Sequence, residues 1–296
     1  MSETIGFIGL GAMGGGMARN ILKAGLPLVI STSSAEKAKA FAALGAEVAT
    51  NPAKVAARAG IVVTCVPDAA AMREVLTGKD GLLSAPWTGG LLIDCSTIAP
   101  FEAEEEAELL GRAGARLVDA PVSGGTKGAA EGTLTIMCGG AAEDVLRARP
   151  VLETMGRNIH HVGPIGAGQA VKACNQLMVA VNLMGVCEAI ALARSAGVEP
   201  RVMREVLSTG AARSGVLEAH ALRYLDGKLS GGFRSELMRK DLGIAAAVGA
   251  RCHRAQPATA LAHQMISAAC NAGFAKMDSA ALGRLYDLLN GTETTK

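Results

Sequence analysis

Through the first 163 residues, short runs of aliphatic and β-branched residues alternate with alanine-rich segments whose polar positions recur at helical spacing. "TIGFIG", "PLVIST", "IVVTCVP", "GLLIDCST", "ARLVDAPV", "GTLTIMCGG" and "NIHHVG" read as strands, with a shorter one at Glu47–Ala49. Residues 12–24 (closed by Gly25), 34–44, 52–58 and the acidic 101–113 read as helices between them. Such alternation predicts βαβ units and a largely parallel, doubly wound sheet. From about residue 166 the strand pattern stops, and helical spacing runs through 167–196, 199–209, 215–226, 234–252, 256–273 and 278–290. The expectation is an α/β chain: a doubly wound domain over 1–163, an all-α domain over 164–296, and a long interdomain helix joining them.

That joining helix carries a chemical oddity. "GAGQAVKACNQLMVAVNLMG" (166–185) is apolar nearly all round, which marks a buried helix. Yet Lys172, Asn175, Gln176 and Asn182 share one side of it, and Glu188 falls on the other. Burying an ammonium is expensive unless something compensates. The expected domain junction, "GPIGAG" (163–168), comes immediately before, and clefts between domains favour small-molecule sites.

A second chemical signal stands at the start. "GFIGLGAMG" places Gly9, Gly11 and Gly14 in G-x-G-x-x-G, after a strand and at the mouth of a helix. The first glycine permits a tight turn, the second lets backbone approach a pyrophosphate, and the third lets helix and strand pack closely. The helix N-terminus offers N–H groups and positive dipole to phosphates. A Rossmann-type dinucleotide site at Gly9, Leu10, Gly11, Ala12, Met13 and Gly14 follows. About 20 residues on, an acid usually receives the ribose hydroxyls of NAD. Here Ser31, Thr32, Ser33 and Ser34 stand instead, and Ser33-x-x-Glu36 reads as a capping box for the next helix. Without that acid a 2′-phosphate meets no repulsion, and Thr32, Ser33 and Lys37 could receive it, so NADP is favoured over NAD.

Composition narrows the class. Half of the 296 residues are hydrophobic, 3% are aromatic, and the formal charge is +2. No clustered cationic face with stacking aromatics is present, so nucleic acid is excluded as a partner. The apolar run 177–193 is broken by Asn182 and Glu188, which argues against a membrane span. Seven cysteines, odd in number and without CxxC spacing, read as reduced core residues, and no metal-site spacing appears. The first strand begins by Thr4, with no leader expected ahead of it, and the cytoplasm is the expected compartment.

Four motifs occur in order: "GFIGLGAMGGGMARN", "DAPVSGG" (119–125), "GAGQAVKACNQ" (166–176) and "FRSELMRKDL" (233–242). Together they resemble the β-hydroxyacid dehydrogenases over essentially the whole chain. The resemblance implies that Lys172 is the catalytic lysine, exchanging a proton with the substrate oxygen while the nicotinamide exchanges hydride with carbon. Burial would lower its pKa from near 10.4 toward working pH. It implies that Asn175 holds the substrate, and that Ser123, Gly124 and Gly125 form a substrate loop able to grip a carboxylate. It also implies that Lys240 reaches the cofactor or substrate region, and that Val66, Pro67 and Thr97 lie against the cofactor. Residues 123–125 read equally as a turn opening a β-hairpin.

The region 210–245 is compact and more similar to tartronate semialdehyde reductases than to 3-hydroxyisobutyrate dehydrogenases. The expected activity is therefore reduction of tartronate semialdehyde (2-hydroxy-3-oxopropionate), with 3-hydroxyisobutyrate or another short 3-hydroxy acid as alternative. 6-Phosphogluconate dehydrogenases resemble it too but place a glutamate seven residues past the lysine, where this chain has Val179. Imine reductases usually replace the lysine. A non-catalytic nucleotide-binding interaction module is the remaining reading, and members of that kind lack the lysine. The apolar α-domain points to a homo-oligomer, a dimer or tetramer.

Overall fold

The aliphatic runs assemble, in the computed structural model, into one sheet; residues 3–292 are described. Its strands are β1 (Ile5–Ile8), β2 (Leu28–Ser31), β3 (Glu47–Ala49), β4 (Ile61–Thr64) and β5 (Leu91–Asp94), then β6 (Arg116–Asp119), β7 (Val122–Ser123), β8 (Leu134–Gly139) and β9 (Gly156–Gly163). They lie in the order β3-β2-β1-β4-β5-β6-β8-β7, with β9 against β8. Neighbours from β3 through β6 are parallel, while β8 runs antiparallel to β6 and β7 and parallel to β9. Strand order reverses between β1 and β4, and ligands of such sheets bind beyond the carboxyl ends at that point.

β1, β2, β4 and β5 are buried along their whole length. Strands covered on both faces need apolar residues at every position, which is why they read as continuous aliphatic runs. Alternate residues serve opposite layers: Phe7, Val63 and Ile93 pack in one core, Ile8, Val62 and Leu92 in the other. Each such side chain contributes about 1.5–3 kcal/mol on burial.

Several expectations are corrected. The first helix begins at Gly14 rather than residue 12 and ends at Lys23. The cap of helix Ala35–Ala43 is Ser34, whose hydroxyl accepts from Lys37 N at 3.3 Å, so the proposed Ser33 box is displaced by one residue. "ARLVDAPV" is two strands, because the chain leaves β6 at Asp119 and restarts as β7. β7 and β8 pair antiparallel, but helix Gly125–Glu131 joins them in place of a hairpin turn. Helices Ala69–Thr77 and Ala142–Met155 are additional, the latter with Pro150 inside it.

Two compact units divide the chain, Met1–Lys172 and Ala173–Lys296. The second is helical, comprising the rest of helix Ala167–Ser195 and Pro200–Leu207, Gly215–Leu225, Ser235–Arg251, Pro257–Ala269 and Leu282–Leu289. Its core gathers Leu183, Cys187, Ile190, Leu217, Met238, Leu242, Ile266 and Leu282. Helix Ala167–Ser195 is long and apolar enough to cross a membrane by length and composition. Its Ala180, Leu183, Cys187 and Ile190 are instead buried in this core.

One helix-borne acid in the first unit has a measurable consequence. Glu106, on helix Pro100–Arg112, is buried, and its Oε2 has no hydrogen-bond partner. Burial above all, then the nearby Asp94, Glu102 and Asp119, push its carboxyl up to about 9, against Arg73. The folded state therefore keeps a proton that the unfolded chain releases from about 4.5 upward, and stability falls as pH rises through that window. Glu106→Gln should add on the order of 1–3 kcal/mol at pH 8.5 and little at pH 4. Denaturant unfolding at the two pH values checks this; equal changes at both would remove Glu106 as the source of the slope.

Candidate active site

At the carboxyl end of β1 the chain turns at Gly9, with φ of 98°. A Cβ there would lie 2.3 Å from the Cys65 carbonyl oxygen, so β1 and the end of β4 approach too closely for any other residue. A Cβ on Gly14 would lie 2.0 Å from the Gly9 carbonyl oxygen. Gly11 differs: a Cβ there meets nothing within 4 Å. Helix Gly14–Lys23 has no side-chain cap and no acid in its first turn. Leading N–H groups without a capping side chain, beside an open glycine, fit a dinucleotide pyrophosphate. Leu10 is buried, Met13 half-buried, and Gly11 and Ala12 are exposed at this turn.

Thr32 and Ser33 follow the end of β2. Thr32 Oγ1 accepts from Ser34 N at 3.2 Å, while Ser33 is exposed. Glu36, in the first turn of the next helix, is the nearest acid in sequence.

Lys172 is 7% exposed, and its Nζ donates to the Val122 carbonyl oxygen at 2.8 Å. That bond sets the lysine on the residue immediately before Ser123, Gly124 and Gly125. Ser123 is half-buried and both glycines are exposed, with φ of 135° and 64°. Positive φ at two successive residues turns the backbone in a way that side-chain-bearing residues resist.

A buried polar chain, absent from the sequence-based site, anchors this helix. β4, β5 and β6 each end in a polar residue: Thr64, Asp94 and Asp119. Asp94 Oδ1 accepts from Thr64 Oγ1 at 2.8 Å and from Ser96 N at 3.0 Å. Ser96 Oγ accepts from Val66 N at 2.9 Å. The Ser96 carbonyl accepts from Gln169 Nε2 at 2.9 Å, and Gln169 Oε1 accepts from Ile98 N at 3.2 Å. Asp119 then receives Gly166 N at 2.8 Å and Gln169 N at 3.0 Å. It thereby caps helix Ala167–Ser195 from a neighbouring strand. Burial raises its carboxyl to about 7, with those two N–H bonds opposing. The glycine run before the lysine follows from this packing, since a Cβ on Gly168 would lie 2.3 Å from the Met137 carbonyl oxygen. Val66, Thr97, the 122–125 loop and Lys172 are thus brought together; Pro67 lies exposed beside Val66.

In the helical unit, Asn175 Nδ2 donates to Gln176 Oε1 at 2.8 Å, and Gln176 Nε2 to Asp241 Oδ2 at 2.6 Å. Asp241 Oδ1 lies 3.2 Å from Lys240 Nζ. Asn175 and Lys240 therefore belong to one network whose middle members, Gln176 and Asp241, are buried. Their signal in the sequence was the placement of polar residues beside each expected site residue.

Among the described residues no His, Cys, Asp and Glu cluster could hold a metal ion, and no disulfide joins the cysteines. His160 and His161 lie in β9, as the strand reading expects.

Comparison with known proteins adds independent information. Residues 4–163 match the family described as the NAD-binding domain of 6-phosphogluconate dehydrogenase. Residues 166–286 match that described as NAD-binding of NADP-dependent 3-hydroxyisobutyrate dehydrogenase. The chain is 37% identical to a 2-(hydroxymethyl)glutarate dehydrogenase of Eubacterium barkeri, covering 99% of this chain and 98% of that one. It is 37% identical to an NAD-dependent L-serine dehydrogenase of Pseudomonas aeruginosa, over 98% and 99% of the two chains. A solved structure of Mycobacterium tuberculosis 3-hydroxyisobutyrate dehydrogenase with L-serine is similar at a TM-score of 0.88 and 33% identity, covering 97% and 99%.

The glycine geometry separates folding from cofactor binding. Gly11→Ala should keep the wild-type Tm and weaken NADPH or NADH binding about ten-fold or more, because its added methyl meets no protein atom within 4 Å and would stand where a pyrophosphate approaches the backbone. Gly14→Ala should lower Tm, since its methyl collides with the Gly9 carbonyl. Thermal unfolding and cofactor fluorescence titration read the two effects, and an unchanged Kd for Gly11→Ala would count against a pyrophosphate at this turn.

Proposed function

The chain belongs to the NAD(P)-dependent β-hydroxyacid dehydrogenases, oxidoreductases acting on CH–OH groups, and from that membership we propose reversible oxidation of a short 3-hydroxy acid to its semialdehyde with Lys172 as proton carrier. The supporting observation is the 2.8 Å bond from Lys172 Nζ to Val122, at the root of the 123–125 loop.

The compounds named for the relatives support this substrate class. 2-(Hydroxymethyl)glutarate, L-serine and 3-hydroxyisobutyrate share one skeleton: a carboxylate, a substituted carbon 2, and a primary alcohol at carbon 3. Glycerate, the reduction product of tartronate semialdehyde, is the same skeleton with a hydroxyl on carbon 2. The constant parts are the carboxylate and the CH₂OH. The 123–125 loop, turned by two positive-φ glycines, is the carboxylate grip in this reading, and Ser123 adds a hydroxyl donor.

NAD(P), held at the Gly9–Gly14 turn, would supply the hydride chemistry at carbon 3. Lys172 takes the hydroxyl proton in oxidation and gives it back to the aldehyde oxygen in reduction. Val122 fixes its nitrogen through one N–H. Asn175, three residues further on the same helix, hydrogen-bonds the substrate. In the first unit Val66, Pro67 and Thr97 are the proposed cofactor neighbours; in the helical unit Lys240, paired with Asp241, is the residue proposed to serve the cofactor.

We take tartronate semialdehyde as the preferred substrate, on the similarity of the compact 210–245 segment. A second reading, 3-hydroxyisobutyrate, is favoured by the match of residues 166–286 to the family described for that enzyme. One substituent separates them, a difference that an apolar pocket discriminates by only ~1–3 kcal/mol. A homo-oligomer built through the helical unit belongs to the same proposal, supported by Met178 at 62% and Leu192 at 71% exposure.

Lys172→Ala should lower kcat by about 10²–10⁴ and leave cofactor Kd within a few-fold. More than a tenth of wild-type kcat in the variant would take the lysine out of the mechanism. In parallel, kcat/KM should rank tartronate semialdehyde above methylmalonate semialdehyde, and both far above the aldehydes lacking a carboxylate. Equal efficiency on a carboxyl-free aldehyde would refute the anion grip.

NADPH is the proposed coenzyme, because no acid stands at the end of β2. Thr32→Asp should reverse the preference, its carboxylate binding the ribose hydroxyls and repelling a 2′-phosphate. Steady-state kcat/KM with both coenzymes tests this, and a ten-fold wild-type preference for NADH would contradict it.

A further inference from the structure

Gln169 sits three residues before Lys172, fully buried, in a helix otherwise dressed for the core. Burying a primary amide needs partners for both of its ends. Here they are backbone groups of a single short segment: Ile98 N donates to Oε1, and the Ser96 carbonyl accepts from Nε2. An N–H can only donate and a carbonyl only accept, so the amide has one orientation. Thr97 is the residue between those two anchors. The backbone N–H of Gln169 is held separately by Asp119, at 3.0 Å. A methionine of similar volume would fill the space, so volume alone does not account for the amide.

We propose that Gln169 is a positioning residue: one side chain clamps the segment around Thr97 to the helix that carries Lys172. The inference rests on the reading of Lys172 as proton carrier and of Thr97 as a cofactor neighbour. The reaction divides its charge between two partners, with hydride exchanged at carbon 3 and the proton at the attached oxygen. Both must be met in one geometry, and ~1 Å of misplacement can cost about 10²-fold. The loop end of β5 and the start of the lysine helix are separate segments of chain, and Gln169 joins them by hydrogen bonds to two successive peptide units. Asp119 fixes the height of the helix start; Gln169 fixes it against the Thr97 segment.

A double-mutant cycle decides the matter, with Gln169→Met, Lys172→Ala and the double variant assayed in the full-length protein with NADPH and tartronate semialdehyde. Gln169→Met should lower kcat ten- to a hundred-fold, while KM for the aldehyde and Kd for NADPH stay within about three-fold. In the Lys172→Ala background the same change should cost nothing further, because a clamp acting through the lysine has nothing left to position. Losses that multiply in the double variant would overturn the inference, as would an unchanged kcat in folded Gln169→Met, whatever its Tm. Lys172→Ala retaining more than a tenth of activity would overturn the underlying reading instead, and the inference with it. Gln169→Asn, one methylene too short to reach both anchors, carries the same test if the methionine variant does not fold.

Discussion

A carboxylate or amide taken out of water must find its hydrogen bonds inside the protein, and the carboxyl edge of this sheet is organised by that requirement. Asp94, Asp119 and Gln169 are buried where β5 and β6 end. Their partners are drawn from segments that would otherwise be loops: Val66 through Ser96, Ile98, and the start of helix Ala167–Ser195. Leaving one such group unpaired costs ~1–3 kcal/mol, so each bond that satisfies a buried group also holds a loop in place. The segments around Val66 and Thr97 and the start of the lysine helix are therefore parts of one hydrogen-bonded object.

Much of this was legible in the sequence, for identifiable reasons. Strands buried on both faces announce themselves as unbroken aliphatic runs, and β1, β2, β4 and β5 are of that kind. The burial of Lys172 was legible because its neighbours on the helix are apolar. Its partner was not, since the Val122 carbonyl is a backbone group and leaves no mark in the sequence. Helix Ala142–Met155 was hidden by Pro150, which ordinarily interrupts a helix. Helix Ala69–Thr77 did carry a start signal, Asp68, whose side chain accepts from Ala71 N at 2.9 Å. The cap falls at Ser34, one residue past Ser33, and the sequence does not distinguish the two because four consecutive hydroxyl residues offer the same chemistry to the helix start.

Gln169, Asp119, Gln176 and Asp241 were in view as letters but not as partners. Each is polar in an apolar setting, and the sequence supplies that oddity without saying which groups resolve it. Asp241 illustrates the difference. Next to Lys240 in sequence it reads as half of a solvated helix pair, yet its side chain is 3% exposed and also receives Gln176. A surface ion pair would be worth little. This one ties Lys240 and Asn175 into a common network in the helical unit.

The three fingerprint glycines do not answer to the same master. Gly9 and Gly14 are each wedged against a backbone carbonyl of the protein itself, while Gly11 faces open space. Along a lineage that ceased to use a dinucleotide, the demands of folding would go on purging substitutions at the outer two. Only the middle position would be released to drift. In a diverged relative of this fold, an intact first and third glycine therefore records that the chain still folds, and the middle one alone records whether it still carries a coenzyme.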